Sequence, residues 1–154
     1  MTTSIIRFVN IILVALLAGT SFGIWIGFSP EDYLVTTYIE QQQHLVHSLN
    51  SLMVFLVMMA TLITIISAFV HRQSKTVFIT LLFGAVFLAS CIFISRFGNL
   101  PIQTEMLKWS PNSYPLNWTE LRDKWWMYHI LRTNGELIAL ILVTWSSVQK
   151  QLVK

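Results

Sequence analysis

His129, Arg132, Thr133 and Glu136 recur at spacings of three and four residues, so on a helix they share one face over two turns. These residue types can act together. An imidazole moves protons near neutral pH, and a guanidinium holds an anion or an oxygen-rich ring. A carboxylate one turn further on fixes that guanidinium and opposes its charge. The set stands at the head of an apolar run that ends near Val148. An ionisable side chain near a bilayer centre costs about 2.5 to 3.5 kcal/mol on insertion scales, which makes such residues functional candidates by default. The competing reading is an ion pair that locks a helix bundle and carries no reaction.

A second polar set comes earlier. Glu40, Gln43, His44, His47, Asn50 and Ser51 also recur at helical spacing, and they are expected to form a stripe descending toward the bundle interior. Glu40, His44 and His47, joined by His129, form a candidate ligand set for a transition metal or a haem, because carboxylate and imidazole suit such ions. A wet face of an interfacial helix is the alternative.

The elements that must position these residues follow from composition. Of the 154 residues 55% are hydrophobic and 11% charged, and the mean hydropathy is +0.63, as in an integral membrane protein. Four segments approach the roughly 20 apolar residues that a crossing requires: Phe8 to Phe28, Leu49 to Val70, Thr76 to Ser95, and about Tyr128 to Val148. All four are expected to be α-helical, since backbone polar groups in lipid must satisfy one another. The first is not read as a secretory signal, because its apolar run continues past Ala18-Gly19-Thr20 to Phe28. Cys91 is the single cysteine, which excludes an intrachain disulfide and a thiolate metal cluster.

Four crossings put the N-terminus, the Val70 to Thr76 connection and the C-terminal tail on one side. That side carries Arg7, Arg72, Lys75, Lys150 and Lys154 and no acid, so both termini are expected in the cytoplasm. The opposite side has the two long connections and all seven acids. The expected architecture is therefore an all-α membrane four-helix bundle, a single domain over residues 1–154, with an elaborated extracytoplasmic cap formed by the 1–2 and 3–4 loops. Gly19, Gly23 and Gly27 read as a close packing seam, within the fold or between protomers, with the intramolecular option preferred.

If the second and fourth spans bring both polar stripes to the same outer level, two sites become one pocket. His129, Arg132, His47 and Glu136 would then be its catalytic groups. Asn50, Asn99, Trp118, Arg122 and Trp125 would bind the substrate. Most of the other Trp and Tyr residues on that side are expected to serve as interfacial belt or lid. The charge of +3 is explained by topology and implies no nucleic-acid partner. No phosphate loop, dinucleotide fingerprint or nucleophile elbow is present.

Asn99-Leu100-Pro101, Trp109, Trp118, Leu121-Arg122, Trp125 and His129-Ile130-Leu131-Arg132-Thr133 together resemble the anthrone oxygenase-like (DUF1772) family of small four-helix membrane proteins. The resemblance implies that Asn99, Trp125, His129 and Arg132 are functional, with Arg122 contributing from the cap. It also implies oxidation of an anthrone methylene to a carbonyl by dioxygen, with no added cofactor required. Three functions are thus carried forward. One is an oxidoreductase acting on a small lipophilic aromatic or quinol-like substrate. Another is a metal- or haem-binding redox protein. The third is a non-catalytic assembly partner, and homo-oligomers and membrane lipid are the further expected partners.

Overall fold

An apolar segment with no water to turn to closes its hydrogen bonds internally, and this chain is accordingly helical almost throughout. The computed structural model describes residues 2–152, with side chains from 3 to 149. Of the charges that set the expected orientation, Lys154 and the side chain of Lys150 lie outside the described residues. The long helices are α1 (Thr2–Gly27), α2 (Val35–Val70), α3 (Lys75–Ile94) and α5 (Trp118–Leu152), with a short α4 (Leu100–Met106) between the last two.

α1 packs against α2 and α5, and α3 packs against the same two, so the helices form a four-membered ring with α2 and α5 on a diagonal. The surface is inverted relative to a water-soluble bundle. Phe8, Leu16, Phe55, Phe69, Phe83 and Ile141 point outward, whereas Asn10, Thr64, Asn99, His129, Thr133 and Glu136 are buried. Three helical stretches are long and apolar enough to cross a membrane, namely Thr3–Asp32, Val35–Val70 and Lys75–Met106. α5 is not among them, because Arg132, Asn134 and Glu136 interrupt its apolar run.

The first connection runs as helix into the second span, as the spacing of its residues implies, whereas the expectation for the second changes. At about 1.5 Å per residue the 36 residues of α2 reach about 54 Å, beyond the roughly 30 Å of a hydrocarbon core, so α2 stands well out of the bundle's apolar zone. The connection after Ser95 is mostly helix rather than loop. α3 passes through a π-turn, Ser95–Asn99, straight into α4, and Pro101, which brings no N–H to this continuous helix, falls just after the turn. α5 in turn begins ten residues before the expected Tyr128. The cap is thus built from the projecting ends of α2 and α5 together with α4. Its own core is Phe28, Tyr38, Ile39, Met106, Trp109 and Trp125.

Gly98 and Gly135 let α5 approach the third helical stretch. A Cβ on Gly98 would lie 2.8 Å from the Tyr128 ring, and one on Gly135 would lie 2.8 Å from Cys91 Sγ. The thiol of Cys91 also donates to the Arg132 carbonyl at 3.4 Å. The glycines of α1 behave differently. Nothing lies within 4 Å of a Cβ at Gly19, Gly23 or Gly27, so the expected intramolecular seam is not used, and their face of α1 is open.

Gly98→Ala and Gly135→Ala should therefore each lower the thermal midpoint in detergent, at an overpacking cost of about 1–3 kcal/mol. Gly23→Ala should be neutral or slightly stabilising, since alanine is the better helix former by about 0.5–1 kcal/mol. Equal midpoints for Gly98→Ala, Gly135→Ala and Gly23→Ala would contradict the close approach.

Candidate functional site

Arg132 leaves α5 toward the interior and meets three groups in different directions. Its Nη1 donates to Ser95 Oγ at 3.3 Å, its Nη2 donates to His129 Nδ1 at 3.3 Å, and its Nε faces Glu136 Oε1 at 3.5 Å. A planar guanidinium with five fixed donors can hold such an arrangement, and an ammonium cannot. Ser95 is delivered by the π-turn at the end of α3, while His129 and Glu136 flank Arg132 along α5.

The partners of His129 fix its tautomer. Its Nε2 lies 3.2 Å from the Ser21 carbonyl, which can only accept, so the proton sits on Nε2. Nδ1 then carries the lone pair and takes the Arg132 hydrogen bond. The ring also stacks on Trp125 and Trp126, with centroids 5.4 and 5.3 Å away. The imidazole is thereby occupied as a strut that aims the guanidinium.

Glu136 is in the opposite condition. Its side chain is 1% exposed, and the nearest uncharged donor is the buried Ser21 hydroxyl on α1, which is close enough to act on the carboxylate without completing a well-formed hydrogen bond. Arg132 supplies a counter-charge 3.5 Å away, not a hydrogen bond. Both residues line a cavity of about 230 Å³. Asn50, Ser95, Asn99 and Gln103 add polar groups to its wall, and Leu17, Met53, Val57 and Ile92 make the rest apolar. Val54 and Met58, which also line it, are exposed on the outer surface of the bundle, so the cavity opens sideways. Asn99 is held in place by its Nδ2, which donates to the Trp125 carbonyl at 3.0 Å, and this leaves Oδ1 without a partner. A smaller recess of about 40 Å³ shares Asn50, Met53, Gln103 and Arg132 with the cavity and adds Gln42, Trp125 and His129.

Other expected site residues are not brought together here. Glu40, His44 and His47 are exposed, because the inward face of the upper part of α2 is Tyr38, Gln42 and Val46. The expected stripe is out of phase by one residue, about 100° of helix rotation. The physical reason is that ionisable groups keep their hydration outside, while the interior takes a neutral amide. Consequently the candidate metal set is dispersed, and among the described residues no three His, Cys, Asp or Glu side chains are placed to hold a metal ion. His129, its buried member, has both ring nitrogens engaged within the chain, which does not suit a metal or haem ligand. Trp118 and Arg122 belong to the cap. The Arg122 guanidinium lies 5.2 Å from the Trp118 ring centroid, and Nη1 donates to the Pro30 carbonyl at 3.5 Å. Neither lines the cavity.

Sequence reasoning missed Ser21, Gln42, Ser95 and Gln103. Gln42 had a readable signal, since it interrupts the apolar series Tyr38, Val46, Leu49 and Met53 at helical spacing.

Removing one member of the Arg132–Glu136 pair strands the other in an apolar wall. Glu136→Met alone should destabilise the protein by about 3 kcal/mol and Arg132→Met alone should also be costly, whereas the double change Arg132→Met with Glu136→Met should recover most of that loss. Thermal unfolding of the single and double variants reads the coupling, and strictly additive effects would show that the two charges do not interact.

No curated protein and no solved structure matches the chain. A family model described as anthrone oxygenase matches residues 43–142, about two thirds of the chain. The match takes in Asn50, Asn99, Trp125, His129, Arg132 and Glu136. The chain belongs to the anthrone oxygenase family.

Proposed function

We propose that this protein is a membrane-embedded oxygenase that converts an acidic methylene of a small lipophilic aromatic to a carbonyl with dioxygen, in the cavity beside Arg132 and Glu136. The observation that carries this reading is the pairing of a buried carboxylate with an aimed guanidinium on the wall of a largely apolar cavity. Membership of the family supports the reaction class.

In this reading the Glu136 carboxylate takes one proton from the methylene, and the electron pair left behind delocalises onto a ring oxygen as a phenolate-like anion. Arg132 stabilises that anion, with an electrostatic effect larger in an apolar wall than in water. The anion passes one electron to dioxygen, the radical pair joins in a new C–O bond, and the peroxide takes up the proton. Loss of the remaining C–H proton with cleavage of the O–O bond releases water. One methylene and one dioxygen thus become one carbonyl and one water. His129 acts by holding Arg132, and Asn99 and Asn50 offer amides to the substrate. The lateral opening at Val54 and Met58 suits a substrate dissolved in the bilayer.

The same proposal has α5 as a fourth crossing, making one four-helix membrane domain. Its outward residues Leu131, Ile138, Ile141 and Trp145 are apolar, while Thr133 and Glu136 turn inward. Arg72 and Lys75 in the tight connection between α2 and α3 favour cytoplasmic termini, which puts the cap outside.

Oxygen uptake by purified protein with an anthrone tests this. The wild type should consume one dioxygen for each carbonyl formed. Glu136→Gln and Arg132→Ala should each slow turnover by about 10²–10³-fold, the range lost with one transition-state donor. Folded variants that turn over at the wild-type rate would refute the assignment.

A further inference from the structure

Gln42 is a buried polar residue that the proposed reaction leaves without a role. It is 1% exposed, and among the described residues neither its amide nitrogen nor its amide oxygen has a hydrogen-bond partner. Trp125 Nε1 is buried and unpartnered in the same way. Leaving these groups unmatched is costly, and such groups are normally satisfied by something that binds between them. Both line the small recess that shares Asn50, Met53, Gln103 and Arg132 with the main cavity. Gln42 falls just outside the family match, which begins at residue 43.

The size and chemistry of the recess restrict its occupant. About 40 Å³, against about 230 Å³ for the main cavity, suits a small polar group at the cavity's edge rather than a ring. The indole N–H can only donate, while the glutamine oxygen can only accept. A group that accepts from one and donates to the other is a hydroxyl.

We propose that the recess between Gln42 and Trp125 is a hydroxyl-binding subsite of the cavity, which selects hydroxylated aromatics over the bare ring. The ring lies in the apolar cavity, its O–H donates to Gln42 Oε1, and its oxygen accepts from Trp125 Nε1. Discrimination of this kind is strong because a ligand lacking the hydroxyl leaves both protein groups unpaired. The proposal rests on the reading that the cavity takes an aromatic substrate, and it does not depend on the oxidation step.

Equilibrium binding to the full chain in lipid nanodiscs tests it, with naphthalene, β-naphthol and the methyl ether of β-naphthol as probes. Affinities are corrected for partitioning into empty nanodiscs, and none of these probes has a methylene to oxidise. The wild type should bind β-naphthol about 10-fold or more tightly than naphthalene or the ether, because the ether lacks the donor and overfills the recess. Gln42→Leu should abolish the preference and leave naphthalene affinity within about 2-fold of wild type. Equal wild-type affinity for β-naphthol and its ether would overturn the proposal and identify the recess as a water site only. A folded Gln42→Leu protein that keeps the preference would overturn it as well. The wild-type comparison decides the matter even if the variant does not fold. A naphthol preference without anthrone oxidation would keep the subsite and remove the oxygenase reading, and oxidation without the preference would do the reverse.

Discussion

An arginine inside an apolar bundle needs neighbours for its N–H groups, and Arg132 has Nη1 and Nη2 hydrogen-bonded and its Nε facing a carboxylate, through residues contributed by two helical stretches. Ser95 comes from the π-turn after α3, and His129 and Glu136 come from the turns of α5 on either side. Much of the surrounding architecture serves that requirement. Gly98 and Gly135 permit the approach of α5 that brings Ser95 within reach, and the Ser21 carbonyl on α1 fixes the histidine tautomer that accepts from the guanidinium. Three helical stretches thus converge on one cation. His129, the residue most suggestive of proton transfer, has both ring nitrogens engaged, so in the proposed reaction it positions Arg132 and Glu136 takes the proton.

The inversion of the surface sets where a ligand can come from. The outer faces are apolar and the buried polar groups line a cavity with a lateral mouth, so a lipophilic molecule reaches the charged wall without first crossing water. In the proposed reaction dioxygen, being apolar, shares that route. The polar wall is sparse enough that orientation must come from a few contacts, which gives the amides of Asn50, Asn99 and Gln42 their importance.

The sequence made the helical class, three of the spans and the α5 stripe legible, because apolar run length and i, i+4 spacing are direct consequences of helix geometry in lipid. It also singled out Arg132, Glu136 and Asn99, which line the cavity, and His129, which lines the recess beside it. It misjudged the phase of α2, where Glu40, His44 and His47 looked like a descending ligand stripe. Residue type alone favoured those three, whereas hydration energy turned them outward and Gln42 inward. The π-turn leaves no mark in apolar run length or spacing, and the local feature beside it is Pro101, which brings no N–H to the helix just after the turn. The glycines of α1 advertised close packing on their spacing, yet the other helices bury the opposite side of α1 through Val14, Leu17 and Ala18.

The central claim is that the space bounded by Asn99, Arg132 and Glu136 is a ligand site rather than a packing defect around an ion pair. An experimental density map of the protein in nanodiscs with a bound anthraquinone, the shape of the expected product, tests it most directly. The account predicts ring density between Met53 and Asn99 with a carbonyl oxygen within hydrogen-bond distance of the Arg132 guanidinium. A map with the quinone elsewhere, or with this space closed by side chains, would contradict it.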